Sequence, residues 1–431
     1  MTPLQSVALL LSFTAFGGYL NRRWLKLPTV LGMTASSVGF SLLLIGVNKI
    51  GLIHIDKITS LIKVFNFQQL VLHGLLALLL FSGALFVNAS ALKKWAFPIG
   101  SLATVGVVVS ALVTGGLLWF LCNIIHHPIP LVMAFLFGAL ISPTDPIAAL
   151  AIVKKIGAPK SLEIKLVGES LFNDGSGVLL FLLLLGFAQG QSLDVTDVLA
   201  EVIWQPLVAI VLGYVLGWIA VKALSKIDDY AIEILITLAL ATGSYGLAEF
   251  LNASAPIATV IAGLVIGNKA RITDIMSEKT REHLDTFWET IDEIINAALF
   301  ALMGLELILL DAGVFEIGMG VIAWLSVLIG RWVGVKISLK YFKKSQGTQQ
   351  VLTWGGLRGG ISLALVLTIP ATLEPKLLVV MTFVVVVLSA LGQGLTLGKV
   401  VQYFTKDSNE NVQDNSVSNS LFDKTDKNNL F

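Results

Sequence analysis

Residues 168–177 (GESLFNDGSG) place acidic, amide and hydroxyl side chains inside an otherwise apolar stretch. On a helix, Ser170 and Asp174 lie one turn apart. Glu169 and Asn173 have the same spacing, so the two pairs occupy adjoining stripes of one face. Their hard oxygen ligands suit a small alkali cation, whereas zinc prefers histidine or cysteine. The segment therefore predicts a cation site. The alternative is a polar helix-packing face, which usually uses Ser, Thr or Asn and not two acids.

The segment 142–146 (SPTDP) interrupts a second apolar stretch. Its two prolines cannot continue a regular helix, so the carbonyls of Ala139 and Ser142 lose their usual donors. Interrupted backbone at membrane depth lines a cavity or packs against protein. Thr144 or Asp145 can cap the helix that restarts after the break. We therefore predict that this break lies at the cation site; the alternative is a simple proline kink with a capping aspartate.

A third unusual segment, WGGLRGG at 354–360, surrounds Arg358 with glycines that weaken a helix. Arg331 is the other arginine inside an apolar stretch. A guanidinium remains charged, so we expect both arginines to need anionic partners, and Glu169 is the expected partner of Arg331. Asp174 is then left without an evident fixed countercharge. It could hold either a proton or a cation, and that competition is what an exchanger requires.

The composition places these groups in a membrane. The chain has 431 residues, of which 55 % are hydrophobic and 13 % charged. A soluble domain carries roughly 25 % charge. A disordered scaffold is excluded by the scarcity of charge, and 29 basic against 28 acidic residues leave no basic surface for nucleic acid. The single Cys122 excludes a disulfide-stapled module. The fold class predicted is an all-α polytopic membrane protein.

Each membrane span needs about 20 apolar residues, and the chain holds about thirteen such segments. The predicted spans are 4–20, 28–47, 67–90, 97–123, 129–153, 163–189, 205–222, 231–250, 256–268, 288–310, 317–342, 349–370 and 376–402. Acids at Glu289, Asp292 and Glu293 open the tenth span. Because acids stabilise a helix N-terminus, we interpret these three as interfacial.

Basic residues orient the spans. With the N-terminus outside, the cytoplasmic loops hold 18 Lys and Arg residues, and the opposite loops hold four. This bias predicts an outer N-terminus and a cytoplasmic C-terminus. Residues 1–404 are predicted to form the transmembrane domain. Residues 405–431 are rich in Asn, Asp and Ser and predict a short disordered cytoplasmic tail.

The two halves of the chain have opposite predicted topology. Spans 1–6 begin outside and spans 8–13 begin inside, with span 7 as a linker, which predicts two inverted repeats. The interrupted spans 5 and 12 are each the fifth of their half. Paired interrupted helices at equivalent positions of an inverted repeat are typical of a transporter with its site at the membrane midplane.

Four segments, 142–146, 168–175, 287–307 and 355–360, resemble the monovalent cation/proton antiporters of the NhaP and NHE branch. The resemblance covers about residues 1–402. It implies a dimerisation domain beside a six-helix core with crossed, interrupted helices, a homodimer in the lipid bilayer, and an elevator-like movement of the core. It implies no cofactor beyond the transported Na⁺, Li⁺ or K⁺ and H⁺.

The resemblance also assigns roles at the cation site. Asp174 matches the acid that binds cation and proton alternately. Asn173 matches the asparagine before it, which marks the electroneutral branch. Thr144 and Asp145 match the residues of the helix crossing, and Ser170 matches a hydroxyl on the cation side. The alkali cation is thus implied to contact Asp174, Ser170 and Thr144.

Three further positions follow from the same resemblance. Glu169 with Arg331 matches a buried ion pair, and Arg358 matches the arginine of the second interrupted helix, which is often tied to pH response. One position departs from the pattern: many relatives have an acid where this chain has Ser82. We expect this change to affect the ion selectivity and the hydration of the site more than the exchange itself.

The function expected is secondary active antiport of Na⁺ (or Li⁺ or K⁺) for H⁺, electroneutral at 1:1, in the inner or plasma membrane, serving pH homeostasis. The chain is expected not to be an enzyme. Alternatives are a K⁺-selective antiporter, a cation channel or sensor on the same fold, and an intramembrane aspartyl protease using Asp145 and Asp174.

Overall fold

The computed structural model describes residues 3–51, 59, 62, 66–191, 195–270, 277–310, 312–342 and 347–404. The predicted tail at 405–431 lies outside the described residues. Across the described ranges the chain is helical, and its one extended pairing is an isolated antiparallel bridge between Asp145 and Leu357. The predicted all-α class is confirmed.

Fifteen helices organise the described chain. In chain order they are α1 (Pro3–Leu20), α2 (Thr29–Lys49), α3 (Phe67–Leu85), α4 (Ala96–Ile124), α5 (Leu131–Leu140), α6 (Pro146–Ile156), α7 (Lys160–Ala188), α8 (Val195–Leu224), α9 (Tyr230–Phe250), α10 (Ala255–Lys269), α11 (Glu278–Glu306), α12 (Val314–Ser338), α13 (Thr348–Trp354), α14 (Gly360–Val366) and α15 (Lys376–Phe404). Shorter helical turns connect some of them. By length and composition, eight of the helices within these ranges could cross a membrane: α2, α3, α4, α7, α8, α9, α12 and α15. The total of thirteen spans stays a prediction.

The two interruptions expected in spans 5 and 12 are present. The fifth span divides into α5 and α6, because the prolines of the SPTDP segment end one helix and begin the next. The twelfth span divides into α13 and α14, with the glycine-rich residues 355–359 between them. Each interruption leaves a few residues of extended or turn backbone in the interior of the protein.

The tenth span differs from the prediction at its start. Helix α11 begins at Glu278 instead of 288, where Ser277 caps it by accepting a hydrogen bond from the Thr280 amide at 3.4 Å. Its first four turns are amphipathic: Trp288 is buried and donates to the Thr237 hydroxyl at 3.0 Å, while charged residues occupy the other face. Because of those charges, the apolar run begins at Trp288 although the helix begins at Glu278. The acids of this span therefore lie well inside a helix, and their interpretation as N-terminal acids is wrong.

Two packed groups of helices place the site. Around the interruptions, α4, α5, α7, α12, α14 and α15 share one large buried apolar cluster. A second group, α3, α8, α9, α10 and the first half of α11, packs around Phe81 and Trp288, whose ring centroids are 4.8 Å apart. Outward faces are also apolar, as on α8, where Trp204, Val211 and Trp218 are exposed. Apolar outer faces are expected of helices surrounded by lipid.

Candidate functional site

The two interrupted helices cross at Asp145. Its amide donates a 2.7 Å hydrogen bond to the carbonyl of Leu357, which joins the two breaks through the main chain. The Asp145 carboxylate caps α6, accepting from the amide of Ile147 at 2.9 Å. Gly359 lies directly against it: a Cβ at Gly359 would be 2.7 Å from Asp145 Oδ2. The crossing thus depends on a capping acid and on a residue without a side chain.

The carbonyls left free by the break find donors in two different ways. The Ala139 carbonyl accepts from the amide of Ser142 at 3.1 Å, in a tighter turn. The carbonyls of Ser142 and Pro143 accept from Nη1 of Arg358 at 2.5 and 3.0 Å. The expectation of an anionic partner for Arg358 is wrong, since no carboxylate in the described part of the chain pairs with it. Its charge instead meets the partial negative charge of a helix C-terminus.

Thr144 is held in the break by two residues of α7. The Asn173 Nδ2 atom donates to Thr144 Oγ1 at 2.7 Å, and the Asn173 Oδ1 atom accepts from the Thr144 amide at 3.5 Å. The Ser170 hydroxyl lies 2.9 Å from Thr144 Oγ1. All three side chains are buried. Both polar atoms of Asn173 are therefore engaged on Thr144, and Asn173 positions the break instead of lining the cavity beside it.

That cavity has a volume of about 600 Å³ and lies between the two helix groups. Its deep wall includes four of the predicted site residues, Asp145, Thr144, Ser170 and Asp174. From there it extends along α11, α3 and the start of α2. The structure thus brings together, around one space, oxygen-bearing side chains from the break and from α7.

Asp174 differs from the other groups of the wall. Only 6 % of the residue is exposed. Across the described residues its carboxylate has neither a hydrogen bond nor an ion pair, whereas Asp145 is engaged as a helix cap. A buried carboxylate without a fixed partner is costly unless it takes up a proton or a cation. Asp174 is therefore the group of this site best suited to exchange one for the other.

Glu169 and Arg331 form a buried ion pair behind the cavity. Both Nη atoms of Arg331 donate to the Glu169 carboxylate, the Nη2–Oε2 distance being 2.9 Å. Arg331 also donates to the carbonyl of Leu352 from Nη2 at 3.0 Å and from Nε at 3.3 Å. The pair thereby joins α7, α12 and α13, and neither side chain lines the cavity. Its geometry is that of a scaffold that holds α7 in place.

Sequence reasoning missed part of the cavity wall. Glu289, Asp292, Glu293 and Asn296 line it from α11, opposite Ser82 of α3. Their spacing of three and four residues is that of one helix face. The sequence shows this spacing, but a span that begins at residue 288 predicts an interfacial end there, whereas the helix begins ten residues earlier, at Glu278.

Comparison with known proteins agrees with this architecture. The family described as sodium/hydrogen exchanger, transmembrane, matches residues 10–403. The Na(+)/H(+) antiporter NhaP of Pseudomonas aeruginosa is 40 % identical over 409 residues, which cover 93 % of this chain and 96 % of that protein. The Na(+)/H(+) antiporter NhaH of Halobacillus aidingensis is 35 % identical over 348 residues, covering 78 % of this chain and 83 % of that protein.

A solved structure has the same fold. The sodium proton antiporter MjNhaP1 from Methanocaldococcus jannaschii superposes with a TM-score of 0.74, covering 94 % of this chain and 99 % of the other. The two sequences are 19 % identical. At that identity the likeness shows the fold alone.

Proposed function

The chain belongs to the transmembrane sodium/hydrogen exchanger family and is a multi-pass membrane protein; from this premise we propose that it exchanges Na⁺ for H⁺ by competition at Asp174. Two similar proteins of this family are named Na(+)/H(+) antiporters, and the chain spans most of the length of each. Its family and relatives are transporters, so the chain is not an enzyme, and the protease alternative is set aside.

The observation that carries the proposal is the unpaired carboxylate of Asp174 on the wall of the cavity. A protonated Asp174 would be neutral and stable in this buried place, and a cation would stabilise the ionised form instead. The two occupants exclude each other because both satisfy the same negative charge. One cavity can then carry a cation in one direction and a proton in the other.

The neighbouring oxygens would complete the coordination of a partly dehydrated cation. The hydroxyls of Ser170 and Thr144 lie on the same wall as Asp174. Asn173 holds Thr144 through its amide, so the coordinating hydroxyl is fixed before the cation arrives. A preformed set of one charged and two neutral oxygens suits a monovalent ion, since it supplies a single negative charge.

A single acid, Asp174, that binds either one Na⁺ or one H⁺ supports an electroneutral 1:1 exchange. Asp145 caps a helix and Asn173 is neutral, so Asp174 is the acid at the crossing that is available to trade one Na⁺ for one H⁺. An imposed membrane potential should then leave the rate unchanged, which potassium-loaded vesicles with valinomycin can measure. A clear response of the rate to voltage would contradict the 1:1 ratio.

The sidedness of the cavity agrees with the orientation expected from the basic loops. Pro28, Lys154 and Glu289 line its outer part and belong to segments predicted to face the cytoplasm. We place the N-terminus outside, the C-terminus inside and the protein in the plasma membrane, with the cavity open to the cytoplasm. Movement of the crossed helices against the second group would then expose Asp174 to the other side, and a homodimer would supply the fixed frame.

The decisive experiment measures Na⁺-driven proton movement in proteoliposomes made with the Asp174→Asn variant. Exchange should be abolished, because the amide can neither bind a proton nor neutralise a cation. Glu163→Gln, which removes an acid from the first turn of the same helix, is the matched control and should retain exchange. Retained exchange in Asp174→Asn would refute the proposal. The same assay with Li⁺ and K⁺ in place of Na⁺ measures the selectivity and tests the K⁺-selective alternative.

A further inference from the structure

Three oxygen-bearing side chains line the cavity from α11 and α3, the helices that face the crossing: Ser82, Asp292 and Asn296. Asp292 and Asn296 lie one turn apart on α11, and Ser82 lies on α3. We propose that these three residues form a second cation site, at which Na⁺ binds between the mouth of the cavity and Asp174. The site has meaning for transport only if the exchange proposed above is correct, although its occupancy can be tested separately.

Asn296 is a buried residue whose side-chain oxygen has no donor among the described residues. It is 3 % exposed, and its Nδ2 atom donates to the carbonyl of Asp292 at 2.8 Å. Its Oδ1 atom is buried and has no hydrogen-bond donor among the residues the structure describes. Turning the amide over would place two carbonyl-type oxygens against each other, so the orientation with Nδ2 toward Asp292 is the favourable one. A buried acceptor of this kind needs a cation or a water molecule.

Asp292 and Ser82 add two oxygens of different character. Asp292 lines the cavity from α11 and Ser82 lines it from α3, and these two helices pack against each other. The Ser82 hydroxyl can donate to the carbonyl of Trp288, 3.4 Å away, which leaves its lone pairs available to a cation. Together the three residues offer a carboxylate, an amide oxygen and a hydroxyl. Their single negative charge matches a monovalent cation better than a divalent one.

The position of these residues makes the second site an intermediate binding site for a cation that moves from the mouth of the cavity to Asp174. Glu289 and Glu293 are exposed and line the cavity from the same helix, whereas Asp292 is half-buried and Asn296 is buried. From Glu289 to Asn296 the helix rises about 10 Å. Lys154 is the basic side chain on the lining, and it is exposed. A cation drawn in by the exposed acids would therefore meet Asp292 and Asn296 before it reaches the crossing.

The first test uses the full chain in proteoliposomes and measures the apparent KM for Na⁺ on the side toward which the cavity opens. Asp292→Asn should raise this KM by about tenfold or more, the usual loss when a ligand sphere is damaged, with a largely preserved maximal rate. Asn296→Leu should also raise it. Glu282→Gln removes an acid from an exposed position of the same helix that does not line the cavity, and it should leave the KM unchanged.

The neutral variant separates a binding site from long-range attraction. Asn296→Leu changes no charge, so a raised KM in this variant reports lost coordination, and high salt should not abolish it. Ser82→Ala is a second neutral variant for the case in which Asn296→Leu does not fold. If the neutral variants keep the wild-type KM, and only Asp292→Asn raises it in a salt-dependent way, the second site is refuted.

Occupancy can be tested without transport. Tl⁺ is a heavy monovalent probe, and its anomalous scattering should mark the space between Asp292 and Asn296 in crystals of the Asp174→Asn variant. The signal should be absent from Asp174→Asn combined with Asn296→Leu. Absence of Tl⁺ from the first variant would overturn this inference. If the wild-type protein showed no Na⁺-driven proton movement, the proposed function would be overturned instead. Failure of the second site and failure of the proposed function are therefore distinguishable.

Discussion

The guanidinium of Arg358 donates a 2.5 Å hydrogen bond to the carbonyl of Ser142, the same carbonyl that Pro146 deprives of its helical donor. The donor missing from one interrupted helix is thus supplied by the segment that interrupts the other. Because both groups are buried, the contact replaces an interaction that water would otherwise have to make. The two breaks are therefore structurally dependent on each other.

We predict that Arg358→Ala destabilises the protein by about 2–4 kcal/mol, since the carbonyls of Ser142 and Pro143 would be buried without a donor. Arg358→Lys should lose less, because an ammonium can still reach one carbonyl. Thermal unfolding in detergent, followed by tryptophan fluorescence, measures both. Arg22→Ala, at an exposed arginine, is the control. An unchanged melting temperature in Arg358→Ala would show that the carbonyls find other donors.

Gly359 lies directly against Asp145 at the crossing. Gly359→Ala would place a Cβ 2.7 Å from Asp145 Oδ2 and 3.0 Å from its Cβ, so the capping acid or the break itself must move. We expect exchange to fall at least tenfold, since displacement of about 1 Å in a coordinating site has effects of this size or larger. Gly392→Ala in α15 meets no atom within 4 Å and should leave the rate unchanged. Equal rates in both variants would contradict the prediction.

The buried ion pair allows a double-mutant test. Glu169→Leu should destabilise the protein by about 3–5 kcal/mol, because Arg331 would keep a buried charge without its partner. Glu169→Leu combined with Arg331→Met should be less destabilised than Arg331→Met alone, because it removes both charges. Recovery would be incomplete, since Arg331 also donates to the carbonyl of Leu352. Melting temperatures of the four proteins measure the coupling, and additive losses would mean that the pair contributes no coupling energy.

Two substitutions at Thr144 distinguish the role of its hydroxyl from the role of its shape. Thr144→Val keeps the shape but leaves the Asn173 amide and the Ser170 hydroxyl without this partner, at a cost of about 1–3 kcal/mol for each unsatisfied group. It also removes an oxygen from the cavity wall. We expect a higher KM for Na⁺ and a lower melting temperature. Thr144→Ser retains the hydroxyl and should stay near wild type in both measurements. Identical behaviour of the two variants would exclude a role for the hydroxyl.

Local patterns in the sequence were sufficient to place most helices, both interruptions and the candidate acid. Apolar runs mark spans because a helix must cross a fixed thickness of lipid, and paired prolines or glycines mark breaks because they remove helical hydrogen bonds. The pairing of Glu169 with Arg331 could also be inferred, since a buried arginine needs a partner and few acids lie at membrane depth. These features depend on short stretches of chain or on the small number of buried charges.

The tertiary structure alone decided the contacts between distant segments of the chain. Arg358 binds carbonyls of the other break, over 200 residues away in sequence. Asn173 turns toward Thr144, and α11 turns Asp292 and Asn296 toward the cavity. Periodicity gives the face of a helix on which a side chain lies, but it does not say what that face meets. The partner of each face depends on how the helices pack across the whole chain. In this protein, packing places Glu289, Asp292 and Glu293 on the wall of the cavity.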